Sequence, residues 1–197
     1  MFESGPESRK RRRAPALRFF LIPLLMPFAG TAFGAKLTAD AECDGGIANG
    51  SYVVRADPGP VRIEGRYSQG MRDGEFVFYS VAGDKLIVLP YTKGLINGTV
   101  RAWHAPGANG DARGLKLESD LSAGFVNGHH RTWYANGNPR SDFTIRDGEI
   151  LSANTWNPDG SELEINSDSA FLQSEIESDF AYYSRLEQLL DAYPPGC

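Results

Sequence analysis

Hydrophobic and polar residues alternate in short runs along the middle of the chain, and glycine interrupts these runs at regular intervals. Runs such as EFVFYS and TVRAWH are rich in β-branched and aromatic residues, which is typical of half-buried strands. An Asn-Gly or Asp-Gly pair precedes each run and a second glycine follows it, and both are turn signals. The pattern predicts a mainly β fold, in which strands and tight turns form an antiparallel meander.

The glycines also define an internal repeat. Four segments align without gaps from Gly46, Gly70, Gly94 and Gly124, and a looser fifth segment begins at Asp147. The first three starts are 24 residues apart, and the next interval is 30 because the stretch ANGDARG lengthens one loop. We expect about five β-hairpins, with type I′ turns at five pairs: Asn49-Gly50, Asp73-Gly74, Asn97-Gly98, Asn127-Gly128 and Asp147-Gly148.

Equivalent positions in the repeats predict which face of the sheet is buried. The second and fourth residues after each turn glycine share one face, because strand side chains alternate. These residues are mostly apolar, which predicts an inward face made of Tyr52, Phe76, Val100, His130, Ile150, Val54, Phe78, Ala102, Thr132 and Ser152. The odd positions form a more polar face.

The G-x-x-[ND]-G period followed by an aromatic residue and a further glycine resembles the bacterial variant form of MORN repeats, as in the YwqK-type family often labelled antitoxins. The resemblance covers roughly residues 46–160. It implies an elongated sheet of stacked hairpins that acts as a binding or scaffolding module. An antitoxin role in an exported chain would require an exported toxin.

Residues 164–197 have a different pattern. No glycine or proline occurs between Leu163 and Pro194, and apolar residues recur at helical spacing in one stripe: Leu172, Ile176, Phe180, Tyr183, Leu186 and Leu190. Ser167 or Asp168 is a suitable N-cap, and the two prolines at 194 and 195 stop the helix. We expect a cap over a sheet edge or face, and the alternative is a helix offered to a partner.

The N-terminal residues 1–34 read as a secretory signal peptide. A basic segment precedes a 16-residue apolar run with small residues at its end, and the predicted cleavage follows Gly34. This run is shorter than the ~20 residues of a membrane span, although an uncleaved anchor is the alternative. We therefore predict an exported protein, periplasmic or secreted, with no stable span after cleavage, and a repeat array over residues 35–163.

Charge and cysteine content refine this picture. The whole chain has 20 basic and 25 acidic residues, and removal of residues 1–34 leaves 14 and 23, a net charge of −9. Such an acidic chain without a basic tract is a poor nucleic-acid binder. The two cysteines, Cys43 and Cys197, are expected to form a disulfide in an oxidising compartment, the alternative being free or intermolecular thiols. That bond requires the helix to run back along the sheet.

No hydrolase, nucleotide or metal motif occurs, so we predict a non-catalytic protein without cofactor or metal. Arginines and aromatic residues share a column on the more polar face, at Tyr79, Arg101, Trp103, Arg131 and Trp133. Such residues are favoured at interfaces, although the column would serve packing if it lay under the helix or a neighbouring hairpin. The expected partner is another protein of the cell envelope. The alternatives are a carbohydrate or envelope polymer, and, less favoured, an antitoxin-type protein or a hydrolase.

Overall fold

The computed structural model describes residues 36–105, 114–164 and 170–197. Across these ranges twelve antiparallel strands form one open sheet, and one C-terminal helix follows, as the sequence predicts. The strands are β1 Lys36–Asp44, β2 Ile47–Asp57, β3 Val61–Ser68, β4 Met71–Arg72, β5 Gly74–Tyr79, β6 Lys85–Thr92, β7 Leu95–Ile96, β8 Gly98–Trp103, β9 Leu115–Ser122, β10 Phe125–Trp133, β11 Pro139–Arg146 and β12 Glu149–Thr155. The helix α1 is Ala170–Ala192. The predicted signal peptide and helix N-cap lie outside the described residues.

Five two-residue turns lie along one side of the sheet, here called the turn rim: Gly45-Gly46, Gln69-Gly70, Lys93-Gly94, Ala123-Gly124 and Asp147-Gly148. Their first residues have φ of 50–57° and their second residues 77–87°, the positive values that type I′ turns require. Successive turns are linked by backbone hydrogen bonds, for example from Gly94 N to Arg72 O at 2.9 Å. The turn rim is therefore a continuous surface that runs from repeat to repeat.

The predicted turn positions are wrong in four of the five units. The pairs at 49–50, 73–74, 97–98 and 127–128 follow the real turns by four residues and lie at irregularities within the strands. At these pairs only the glycine has positive φ, for example 123° at Gly98. Asp147-Gly148 alone is a hairpin turn as predicted, so the fifth unit aligns through a different glycine from the other four.

The predicted inward face is buried through the first four units. Tyr52, Phe76 and Val100 have no exposed surface, and His130 is 1% exposed. Ser152 contradicts the prediction, because it is exposed. The pairing of β11 with β12 shifts register between Thr144 and Ile145, which moves the following side chains of β12 to the other face and buries Thr155 instead.

The helix lies on this inward face as a strap. All six residues of its predicted apolar stripe belong to or pack against the sheet core, and Leu172, Tyr183 and Leu190 are buried. Its polar contacts progress from the last strands to the first, since Glu175 contacts Arg140 of β11 and the carbonyl of Tyr193 accepts from Tyr52 of β2. The helix therefore runs antiparallel to the direction in which the repeats are added.

The Cys43–Cys197 disulfide closes this arrangement, with the two Cα atoms 5.8 Å apart. It joins the end of β1 to the C-terminal residue, 154 positions away. Near the end of α1, six residues before Cys197, Asp191 pairs with Arg72. The Arg72 guanidinium lies 5.6 Å from the centre of the Tyr91 ring. The helix thus covers the aromatic cluster of the first repeats and leaves the opposite side of the sheet, here called the outer face, uncovered.

Candidate functional site

Three features of the described residues are candidates for a functional site: two surfaces and one buried polar cluster. The first surface is the outer face, where four charged side chains form a row on adjacent strands. Arg101, Glu118, Arg131 and Asp142 are direct cross-strand neighbours. Arg101 Nε lies 3.0 Å from Glu118 Oε2, and Arg131 Nε lies 3.3 Å from Asp142 Oδ2. Each arginine therefore already has a carboxylate partner, which orients it and offsets its charge.

Two of the predicted aromatic residues, Trp103 and Trp133, share strands with this row, and Tyr79 lies on β5, two strand lines from Arg101. Tyr79, Trp103 and Trp133 are half-buried, and none of the three belongs to the core beneath α1. The Tyr79 hydroxyl donates to Glu64 at 2.8 Å. Partial burial and this carboxylate raise the pKa of Tyr79. Lys85 Nζ lies 5.8 Å from the centre of the Trp103 ring, a cation–π distance.

The structure thus brings the five predicted site residues onto strands of one sheet, in a column that α1 does not cover. Trp103 and Trp133 lie two strands apart, on β8 and β10, with β9 between them. The Trp103 ring is already in contact with Lys85. Their role as a binding surface remains a prediction.

A polar cluster lies beneath the helix, where the inward column becomes hydrophilic. His130 Nδ1 lies 3.0 Å from Ser119 Oγ, and His130 Nε2 lies 3.1 Å from Asp179 Oδ2 of α1. The imidazole stacks on Phe143 with 5.9 Å between ring centres. Burial, and secondarily the charge of Asp179, raises the pKa of the neighbouring Tyr183 well above its usual range.

The residue types of this cluster are those of a serine hydrolase, but their arrangement is different. Ser119 has no exposed surface, so a substrate has no route to its oxygen. The serine faces Nδ1 and the aspartate faces Nε2, the reverse of the contacts in a Ser-His-Asp triad. The contact between His130 and Asp179 instead joins α1 to the sheet as a close charge contact, while His130 Nε2 and the Tyr183 hydroxyl make no hydrogen bond to the described residues.

The second surface is on the turn rim, and the alternating pattern of the strands does not predict it. The residue that follows the turn glycine in the first four repeats is a large apolar one, and each is exposed: Ile47 by 53%, Met71 by 42%, Leu95 by 54% and Phe125 by 72%. These four residues are here called the rim row. The signal was present in the aligned segments, which begin GI, GM, GL and GF.

The rim row follows the stacked turns from repeat to repeat. A Cβ atom placed on Gly70 would lie 3.3 Å from Ile47 Cγ2, and one on Gly94 would lie 4.0 Å from Met71 Cβ. Each rim-row side chain of the first two repeats therefore rests against the turn glycine of the next repeat. Backbone hydrogen bonds from Gly70 N to Ala48 O and from Gly124 N to Ile96 O, both 2.8 Å, hold the turns at this spacing.

Among the described residues, no group of three or more His, Cys, Asp or Glu side chains is arranged to hold a metal ion. In the same part of the chain, no helix has the length and apolar content needed to cross a bilayer. No protein-family model matches this chain, and neither does any curated protein.

Proposed function

We propose that this chain is an exported, non-catalytic binding module that holds another protein of the cell envelope. The observation that carries the proposal is the rim row, four large apolar side chains exposed at equivalent positions of consecutive repeats. A row of exposed large apolar side chains is typical of interaction sites. A repeat array also presents its contacts at a fixed interval, which suits an extended partner.

The compartment in this proposal depends on two features. The predicted signal peptide at residues 1–34 directs the chain out of the cytoplasm. The Cys43–Cys197 disulfide is compatible with the oxidising conditions found there. The proposal keeps the MORN-like character of the repeats as a sequence resemblance, which the meander of hairpins supports at the level of fold.

A carbohydrate or envelope polymer is the second candidate ligand. The feature that favours it is the pair of half-exposed indoles, Trp103 and Trp133, at equivalent positions two strands apart on the outer face. Aromatic faces of this kind can stack on sugar rings. The cation of Lys85 already lies against the Trp103 ring, which leaves less of that surface for a ligand.

One experiment separates the two candidates. The immobilised disulfide-bonded protein is exposed to a detergent-solubilised envelope fraction, and retained proteins are quantified by mass spectrometry. A variant with serine at all four rim-row positions should lose its specific partner. A matched variant with Val81→Ser and Leu151→Ser, which are 74% and 54% exposed elsewhere, should keep it.

The same preparations are then co-sedimented with insoluble envelope polysaccharide. The protein-binding proposal expects no sedimentation that depends on Trp103 or Trp133. Equal protein retention by all three forms, together with polysaccharide binding that Trp103→Ala and Trp133→Ala abolish, would instead establish the carbohydrate alternative.

A further inference from the structure

A groove runs between α1 and the turn rim over the last three repeats. Its larger part has a volume of about 780 Å³ and is lined by Phe125 and Ile150 of the sheet and by Ile176 and Phe180 of the helix. A smaller part of about 180 Å³ continues past Phe180 to Leu95. The two parts are here called the rim groove. Two members of the rim row, Phe125 and Leu95, therefore line it directly.

The rim groove carries charge of one sign. The described residues that line it include three carboxylates and neither lysine nor arginine, the carboxylates being Asp147, Glu177 and Glu187. Glu187 is engaged by the Tyr91 hydroxyl at 3.3 Å, whereas Glu177 is exposed on the helix. Apolar walls with an acidic border complement a ligand that is apolar on one side and cationic on the other.

The spacing of the groove matches a helical ligand. Leu95 and Phe125 directly follow their turn glycines, and Ile150 is the second residue after Gly148. The strand lines that carry these three residues are successively two apart, which at ~4.8 Å per strand gives an interval of roughly 9.6 Å. Side chains seven residues apart on a helix are ~10.5 Å apart on the same face. Same-face side chains of an extended strand recur at ~6.8 Å, which does not match.

In α1 itself, the spacing of seven residues along a helix already matches the interval between alternate strands of the sheet. Ile176, Tyr183 and Leu190 are spaced seven residues apart along α1, and all three pack on the same sheet. A second helix that lies parallel to α1 in the rim groove would find the same repeat interval one row nearer to the turn rim.

We infer that the rim groove binds a cationic amphipathic helix of a partner protein, with apolar side chains seven residues apart on Leu95, Phe125 and Ile150 and basic side chains near Asp147 and Glu177. This inference rests on the proposed function and names the chemistry of the partner segment. The helix-in-groove mode needs about four turns of helix to span the three repeats.

The test uses a synthetic peptide of about 15 residues, long enough for four helical turns, with leucine at heptad a and d positions and lysine elsewhere. A second peptide carries glutamate in place of every lysine. Isothermal titration calorimetry with the disulfide-bonded protein should give saturable one-to-one binding of the lysine peptide, weakened by salt, and none of the glutamate peptide.

Two matched pairs of variants locate the site. Leu95→Ser should weaken the affinity about tenfold, while Leu151→Ser, at the same 54% exposure but outside the rim groove, should leave it unchanged. Glu177→Gln should weaken binding several-fold, while Glu75→Gln on the outer face should not. All four side chains are exposed, so we expect each variant to fold normally. Circular dichroism of each variant checks this.

Equal losses within either pair would show general attraction to an acidic protein and would overturn the inference. Self-association that Leu95→Ser abolishes, measured by sedimentation, would make a second copy the occupant and would overturn it too. If the peptide does not bind but the rim-row variant still loses its envelope partner, the cationic-helix inference fails and the proposed function stands.

Discussion

At the scale of single residues, Gly65 shows how closely the first repeats are packed. It pairs directly with Tyr52 across the sheet, and a Cβ atom placed on it would lie 2.5 Å from the Phe76 ring. Gly65→Ala should therefore lower the free energy of unfolding by about 1–3 kcal/mol through overpacking. Urea denaturation measures this change. Gly114→Ala is the control, because no atom of the described residues lies within 4 Å of its added methyl group, and equal losses would contradict the packing at Gly65.

Ala123 tests the position of the hairpin turns. It occupies the first central position of a type I′ turn with φ of 50°, a conformation that asparagine adopts more readily than alanine. Ala123→Asn should raise the free energy of unfolding by about 0.5–1 kcal/mol, a part of the roughly 1–2 kcal/mol that the left-handed conformation costs an ordinary residue. Ala135→Asn, in a turn residue without positive φ, should change it little. A stabilisation confined to Ala135→Asn would contradict the turn assignment.

Buried tyrosines predict a sensitivity to alkaline pH. Burial raises the pKa of Tyr52, Tyr91 and Tyr183 well above the ordinary value near 10. Because the pKa of these tyrosines is higher in the folded than in the unfolded protein, the stability of the fold is unaffected by their ionisation below about pH 10. It falls as the pH rises above that value, since the unfolded chain then loses protons more readily than the folded one. Unfolding should therefore begin above pH 10. The ultraviolet absorbance of ionised Tyr52, Tyr91 and Tyr183 should therefore appear only at the pH at which the circular dichroism signal of the folded protein is lost.

The control for this titration is the protein in urea, where all eight tyrosines should ionise together near pH 10. Ionisation of every tyrosine at that pH in the native protein, with the circular dichroism spectrum unchanged, would contradict the burial of these side chains.

At the scale of elements, the sequence predicts strands and the helix well, because their periods of two and 3.6 residues are set by backbone geometry. The apolar stripe of α1 and the inward columns of the first four repeats follow directly from those periods. Turn positions are harder. Gln69, Lys93 and Ala123 adopt positive φ against their own preference, while each Asn-Gly or Asp-Gly pair four residues later offers a stronger local turn signal. The stacked turns and the strand register decide the outcome, and neither is visible in a local pattern.

The polar contacts of α1 explain how an apolar stripe acquires one register. Leucine and tyrosine side chains alone would tolerate a slide along the sheet by one turn. Asp179 beside the buried His130, and Asp191 beside Arg72, match only one position of the helix. Such contacts join residues that are far apart in sequence. The sequence pattern therefore predicts the apolar stripe of α1 but not the position of α1 along the sheet.

At the scale of the whole molecule, the predicted site and the missed one differ in a physical way. Arg101, Trp103 and their neighbours are conspicuous because bulky and charged residues repeat at one strand position. The rim row is not predicted by the pattern, because large apolar residues are expected in the core. Leu95 and Phe125 lie just after a turn and alternate along the strand with the buried Ile96 and Val126, so their side chains lie on the side of the sheet away from the core.

The disulfide affects the stability of the whole molecule, because it joins the C-terminal end of the chain, after α1, to the first hairpin. Cross-linking residues 154 positions apart removes much of the freedom of the unfolded chain. In the chain-entropy model this contributes roughly 4–5 kcal/mol, and removal of native disulfides commonly costs about 2–5 kcal/mol. The double variant Cys43→Ser/Cys197→Ser should lose stability in that range. Dithiothreitol should destabilise the native protein and leave the double variant unchanged.

The loss should also be uneven along the helix. Without the disulfide, the C-terminal turn of α1 is held by Leu190 in the core, by the pair Arg72–Asp191 and by the hydrogen bond from Tyr52 to Tyr193. The first half keeps Leu172 in the core. Hydrogen exchange in the double variant should therefore rise most over residues 187–193 and least near Leu172, because opening starts at the freed end. Uniform acceleration along α1 would mean that the strap opens as one unit, and the sheet contacts of its first half would then contribute less than their burial implies.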